Sequence, residues 1–307
     1  MSSPVPPAGG PPWPGPGAGG PQPPPPQQPP PPPYPPPPPP VAVNPAFPYG
    51  YPPYPPPAPL WQQTPVLYRG APSNLVLAVE QGRPVTPARW GFPDFLITFG
   101  LWLFLNVLAA GVIIALGTTG AAGSIGIMVA ITLPWLGLAG WPILVAFWRG
   151  NGPVLDYGLT AKWADIGWGV LYGLVGLILA GAISLLTQAI FGDFDSAAGE
   201  LAEKLPQWWA LLLFALLVGL GAPIVEELAY RGLLLGSLLK RNWAPWLAIG
   251  TSALLFSLTH FEPIRIPLLL STGIVLGIAR YHRGSTTTSI VAHMTNNIPA
   301  AVALFFI

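Results

Sequence analysis

From residue 94 onward one apolar stretch follows another, with few charges inside them. A helix needs about 20 apolar residues to cross the hydrocarbon core of a bilayer, and several of these stretches are that long. The whole chain is 51% hydrophobic and only 7% charged, whereas an ordinary soluble domain is about a quarter charged. The chain therefore reads as an all-α polytopic membrane protein. Helices are expected at about 95–117, 125–148, 166–190, 208–240, 244–261, 265–282 and 286–306. The segment 208–240 is too long for a simple span and carries Gly219, Gly221 and Pro223, so it is expected to kink or break near Pro223. Seven transmembrane helices result, or eight if that segment breaks into two crossings. A short amphipathic piece at 196–205 suits the membrane interface.

The N-terminal region is different. Residues 1–60 hold 31 of the 45 prolines, including the run PPPPPYPPPPPP around Tyr34. Proline lacks a backbone donor, and such a tract is expected to be a disordered, polyproline II-rich tail. It reads as a spacer or as the ligand of a proline-recognising partner. Residues 61–93 link the tail to a membrane domain at 94–307, and NLVLAVEQG within the linker suits a short strand or helix. The opening residues lack the basic and apolar regions of a signal peptide. Net charge is +1 and there are no cysteines. The first argues against a nucleic-acid partner; the second excludes disulfides, thiol nucleophiles and cysteine-ligated zinc.

Loop charge gives orientation. Arg69, Arg83 and Arg89 precede the first helix, and Arg149, Lys162, Lys240, Arg241, Arg280 and Arg283 fall in alternate later loops. The loop at 191–207 is acidic, with Asp193, Asp195, Glu200 and Glu203 against Lys204. The positive-inside rule then favours seven spans with the N-terminal tail in the cytoplasm, in a multi-pass protein of the plasma membrane.

Charged residues deep in a bilayer cost at least about 2.5–3.5 kcal/mol each, and those that persist face a bundle interior. Three polar groups lie in the last hundred residues. Glu227 and Arg231 are one helical turn apart and can pair. Glu226 is rotated by about 100° and has no partner at that spacing. It suits a general base, although a charge cluster that only locks helices together explains the same residues. Phe256 and His260 share a face, where the ring could orient the histidine or wall a pocket. His293 and Asn297 also share a face. Together they could offer donors to an oxyanion, or only an interhelical hydrogen bond. At about 1.5 Å per residue, Glu226 and His260 lie roughly 20–24 Å from the cytoplasmic ends of their helices. His293 lies only about 10 Å in, so either the last helix begins deeper than the others or the topology differs.

The series EELAYR (226–231), FSLTH (256–260) and HMTNN (293–297) resembles the CPBP family of intramembrane proteases, which includes type II CAAX prenyl proteases and Abi-like proteins. The resemblance covers roughly residues 95–307. It implies hydrolysis of a peptide bond in a membrane-associated protein or peptide. Glu226 would activate water and His260 would help hold it, with His293 and Asn297 stabilising the oxyanion. Glu227, Arg231 and Phe256 would support the site. If a metal such as zinc takes part, His260, His293 and Glu226 are the candidate ligands; the same residues also suit metal-free chemistry. Two other classes compete with the protease reading: a non-catalytic immunity or scaffold protein of the same fold, and a proton-coupled transporter.

Overall fold

The long helix at 208–240 does not break at Pro223, and the bundle is built around it. The computed structural model describes residues 67–117, 119–160 and 162–306. The expectations for the tail at 1–60 and for the start of the linker lie outside them. In chain order the helices of six residues or more are α1 (Ser73–Glu80), α2 (Phe92–Leu116), α3 (Gly120–Arg149), α4 (Trp163–Phe191), α5 (Ala197–Ala202), α6 (Trp208–Lys240), α7 (Pro245–Leu258), α8 (Ile266–Arg283) and α9 (Thr286–Ala303). No strand occurs among the described residues. The NLVLAVEQG segment forms helix α1, and the piece expected at 196–205 forms α5.

The seven long elements correspond to the seven expected. Five candidate spans, containing α2, α3, α4, α6 and α8, are long and apolar enough to cross a membrane. By the same measure α7 is too short, with 14 residues, and α9 is interrupted by polar side chains over its 18. The eight-crossing alternative needed α6 to break, and it is continuous.

Helix α6 runs through the centre. Every residue from 227 to 239 is buried, as expected for a helix surrounded on all sides. Helices α2 and α3 cover one flank, the α7–α8 hairpin a second, and α9 a third, with α4 packed outside α8 and α9. Small residues allow these approaches. A Cβ added at Gly169 would lie 2.6 Å from Val291 Cβ, and one at Gly173 would lie 2.7 Å from the Ala292 carbonyl. Gly273 and Gly277 admit Ala253 and Ile249 of α7 in the same way.

The described part of the linker packs onto one end of the bundle. Leu75, Ala78 and Trp90 are buried, and the Ser73 N–H donates to the Gly284 carbonyl at 2.8 Å. Lys240, at the end of α6, donates to the Ala88 carbonyl at 2.8 Å and lies 3.6 Å over the Trp90 ring. Nearby, burial and then Asp156 push the Tyr157 phenol well above its ordinary range. It stays protonated and donates to the Pro142 carbonyl at 2.7 Å. The start of α9 sits beneath this layer. Ser285, Thr286, Thr288 and Ser289 are all fully buried, and the Thr286 N–H donates to the Gly158 carbonyl at 3.0 Å. Helix α9 begins where expected, but its start is set inside the protein. This explains how His293, two turns along, reaches the centre of α6.

The glycine contacts generate a prediction. Gly173→Val should destabilise the bundle by about 1–3 kcal/mol through overpacking, lowering the thermal midpoint in detergent. Gly167→Ala, where nothing lies within 4 Å, should leave the midpoint unchanged or slightly raised, because alanine is the better helix former.

Candidate active site

The site begins with an irregularity in α6. Pro223 has no N–H and would crowd the carbonyl four residues earlier in a regular helix. The chain instead widens into π-type turns over Leu217–Gly221, just before the proline. The Ala222 N–H reaches the Leu217 carbonyl, five residues back. In that register the next carbonyl, Val218, would be met by residue 223, which has no proton to give. Asn297 supplies the missing donor, with Nδ2 at 3.2 Å from the Val218 oxygen.

A second π-type stretch, Leu228–Leu234, follows the two glutamates directly. Such stretches often mark functional sites. Ser252 of α7 steadies it by donating to the Tyr230 carbonyl at 3.0 Å. The pairing expected between Glu227 and Arg231 is present. Arg231 Nη1 lies 2.7 Å from Glu227 Oε1, and both side chains are fully buried. Arg231 also donates from Nη2 to the Gly273 carbonyl of α8 at 3.0 Å, and its guanidinium carbon lies 4.6 Å over the Phe256 ring. From α9, His293 Nδ1 approaches the same Glu227 oxygen at 3.1 Å. A carboxylate only accepts, so Nδ1 is the protonated nitrogen.

Glu226 stands outside this ion pair, as its position on the helix suggested. Its side chain is 19% exposed, and its nearest basic atom is His293 Nε2, 3.9 Å away. It opens into a cavity of about 410 Å³, whose walls also include Tyr230, Thr259 and His260. Trp102 and Asn106 of α2 and Trp135 of α3 also line it, and its apolar lining includes Leu201 of α5. His293 and Asn297 are not among the lining residues.

His260 lies just beyond the end of α7. The helix stops at Leu258, and the His260 N–H turns to the Ser257 carbonyl, which frees the Phe256 carbonyl. His260 Nδ1 lies 2.7 Å from that oxygen. The Phe256 ring is edge-on to His260 at 4.8 Å and to His293 at 5.7 Å, measured between ring centroids. The expected wall is therefore a wedge between two histidines, capped by Arg231.

The structure thus gathers Glu226, Glu227, Arg231, Phe256 and His293 into one cluster and places His260 on the cavity that Glu226 faces. Asn297 reaches the same helix but spends a donor on Val218. Sequence reasoning missed Asn106, Tyr230 and Thr259. Asn106 had a signal, since it is the only amide in the apolar run of α2. Among the described residues, no group of three His, Cys, Asp or Glu side chains could hold a metal ion. His260 and His293 each have one ring nitrogen committed to a protein oxygen.

Residues 207–299 match the family model described as Type II CAAX prenyl endopeptidase Rce1-like. The matched segment contains all three motifs and bears out the resemblance to the CPBP family. Over these residues the chain is similar to a family of CAAX-type proteases. Comparison with curated proteins and with solved structures gave no match.

The ion pair and the free carboxylate should respond differently to mutation. Arg231→Met leaves Glu227 buried and uncompensated and should cost about 3–5 kcal/mol. Adding Glu227→Gln should recover part of that loss, a coupling that thermal unfolding of the two single variants and the double variant reads directly. Glu226→Gln, at a partly exposed carboxylate, should change stability by less than about 1 kcal/mol.

Proposed function

We propose that the protein is an intramembrane endopeptidase in which Glu226 activates the attacking water. The observation that carries this reading is the division of labour between adjacent glutamates. Glu227 is fully buried and bonded to Arg231 and His293, while Glu226 faces a cavity that also presents His260. A carboxylate without a strong cationic partner, beside a cavity with room for water and substrate, is what general-base hydrolysis needs.

In this mechanism Glu226 takes a proton from water while His260 Nε2 accepts a hydrogen bond from its other proton. The nascent hydroxide attacks the scissile carbonyl carbon, and the carbonyl oxygen becomes an oxyanion. Collapse breaks the C–N bond, and the leaving amine receives the proton from Glu226. His293 and Asn297 are the proposed oxyanion donors. Asn297 keeps one N–H beyond its bond to Val218, and His293 donates from Nε2 only when its ring carries a second proton. Glu227 and Arg231 hold His293 and the second π-type stretch in place.

The proposed substrate is a membrane-associated protein or peptide that enters from the bilayer, with its apolar portion against the apolar lining that includes Leu201. The basic end of the bundle is assigned to the cytoplasm by the positive-inside rule, in the plasma membrane, with the proline-rich tail on the same side and open to a proline-recognising partner.

Mass spectrometry of peptide termini in host membranes tests the activity without a guess at the substrate. Cells carrying the wild-type protein should show termini that vanish with Glu226→Ala at matched expression. Identical termini from folded wild-type and mutant protein would favour a non-catalytic role. Loss of proton-coupled uptake in the mutant, without any change in termini, would favour a transporter.

A further inference from the structure

Tyr230 and Thr259 line the cavity and have no part in the mechanism above. Their hydrogen bonds form a chain whose direction is fixed by chemistry. The Phe256 carbonyl can only accept. Thr259 Oγ1 lies 3.0 Å from it and so donates its single proton there. Tyr230 Oη lies 2.6 Å from the same Thr259 oxygen, so the phenol must be the donor in that bond. The other group on the Phe256 carbonyl is His260 Nδ1, at 2.7 Å, and it too must donate. A neutral imidazole with Nδ1 protonated has its lone pair on Nε2.

We propose that Tyr230 and Thr259 are positioning residues for the reaction, holding the Phe256 carbonyl so that His260 keeps its proton on Nδ1 and presents Nε2 as an acceptor to the cavity. The proposal rests on the hydrolytic reading of the site. The anchor is rigid at its far end. Tyr230 is buried, packs edge-on against Phe256 and Phe95 at centroid distances of 5.4 and 5.8 Å, and has its own carbonyl held by Ser252. The Phe256 oxygen is available only because α7 ends at Leu258. Without Thr259 the histidine would have a less constrained partner, and the ring would be free to rotate or exchange tautomers.

The test reads His260 directly. Nitrogen NMR of protein labelled with ¹⁵N-histidine, with His260 assigned by a His260→Asn control, reports which ring nitrogen carries the proton. The wild-type protein should show protonated Nδ1. Thr259→Val should give a mixture of tautomers, and its yield of the Glu226-dependent termini should fall about tenfold or more, the scale expected when a reacting group loses its orientation. Thr259→Ser, which restores the hydroxyl, should recover both. Tyr230→Phe, which deletes only the phenol, should give a smaller change in the same direction and covers the case in which the valine variant folds poorly.

Unchanged tautomer and cleavage in folded Thr259→Val and Tyr230→Phe would overturn the proposal, as would a serine variant no better than valine. If the wild-type protein cleaves nothing yet shows the Nδ1–H tautomer, lost in Thr259→Val, the positioning stands and the hydrolytic reading alone fails.

Discussion

The ion pair between Glu227 and Arg231 is the interaction around which the last four helices are arranged. Two fully desolvated charges are costly unless their remaining polar atoms find partners. The partners that are found come from the neighbours, while Glu227 Oε2 and Arg231 Nε have none among the described residues. Arg231 takes the Gly273 carbonyl from α8 and lies over the Phe256 ring of α7, while Glu227 takes the His293 ring of α9. One pair on α6 thereby fixes three other helices. By absorbing the strong cation and the nearby histidine nitrogen, it also leaves the adjacent Glu226 as the carboxylate that faces open space.

The backbone of α6 makes this arrangement affordable. Two π-type stretches flank the glutamates. The first accommodates Pro223 and creates a carbonyl that needs a donor, which Asn297 supplies. Asn297 therefore has a structural reason to be where it is, independent of any reaction. The end of α7 works in the same way. An early stop exposes the Phe256 carbonyl, and that oxygen accepts from both His260 and Thr259. In both places an irregular backbone leaves a polar atom unpaired, and a side chain at the site answers it.

Much of this was legible in the chain. Apolar length located the bundle helices, because the hydrocarbon core sets a minimum span. The one-turn spacings of Glu227 with Arg231 and of Phe256 with His260 predicted contacts that are present. What could not be read was anything that depends on a change of helical register. A kink or break was expected at Pro223, but the wider turns keep α6 continuous and alter which carbonyl Asn297 meets. By sequence His293 reads as too shallow, because a helix is expected to start at the membrane surface. That start, with Ser285, Thr286, Thr288 and Ser289 buried, sits beneath the linker instead. Asn106 was legible as an amide in an apolar helix, but only the packing of α2 across the cavity shows that it shares a space with Glu226.

In the proposed mechanism Glu226 and His260 hold one water between them, with Glu227 excluded from that role. An experimental structure of the protein in a lipid environment, at a resolution that shows ordered water, tests this most directly. A water is expected within hydrogen-bond distance of both a Glu226 carboxylate oxygen and His260 Nε2, with Glu227 still bonded to Arg231 and His293. A Glu226 carboxylate closed off by protein side chains, or a His260 ring turned with Nε2 away from the cavity, would contradict it.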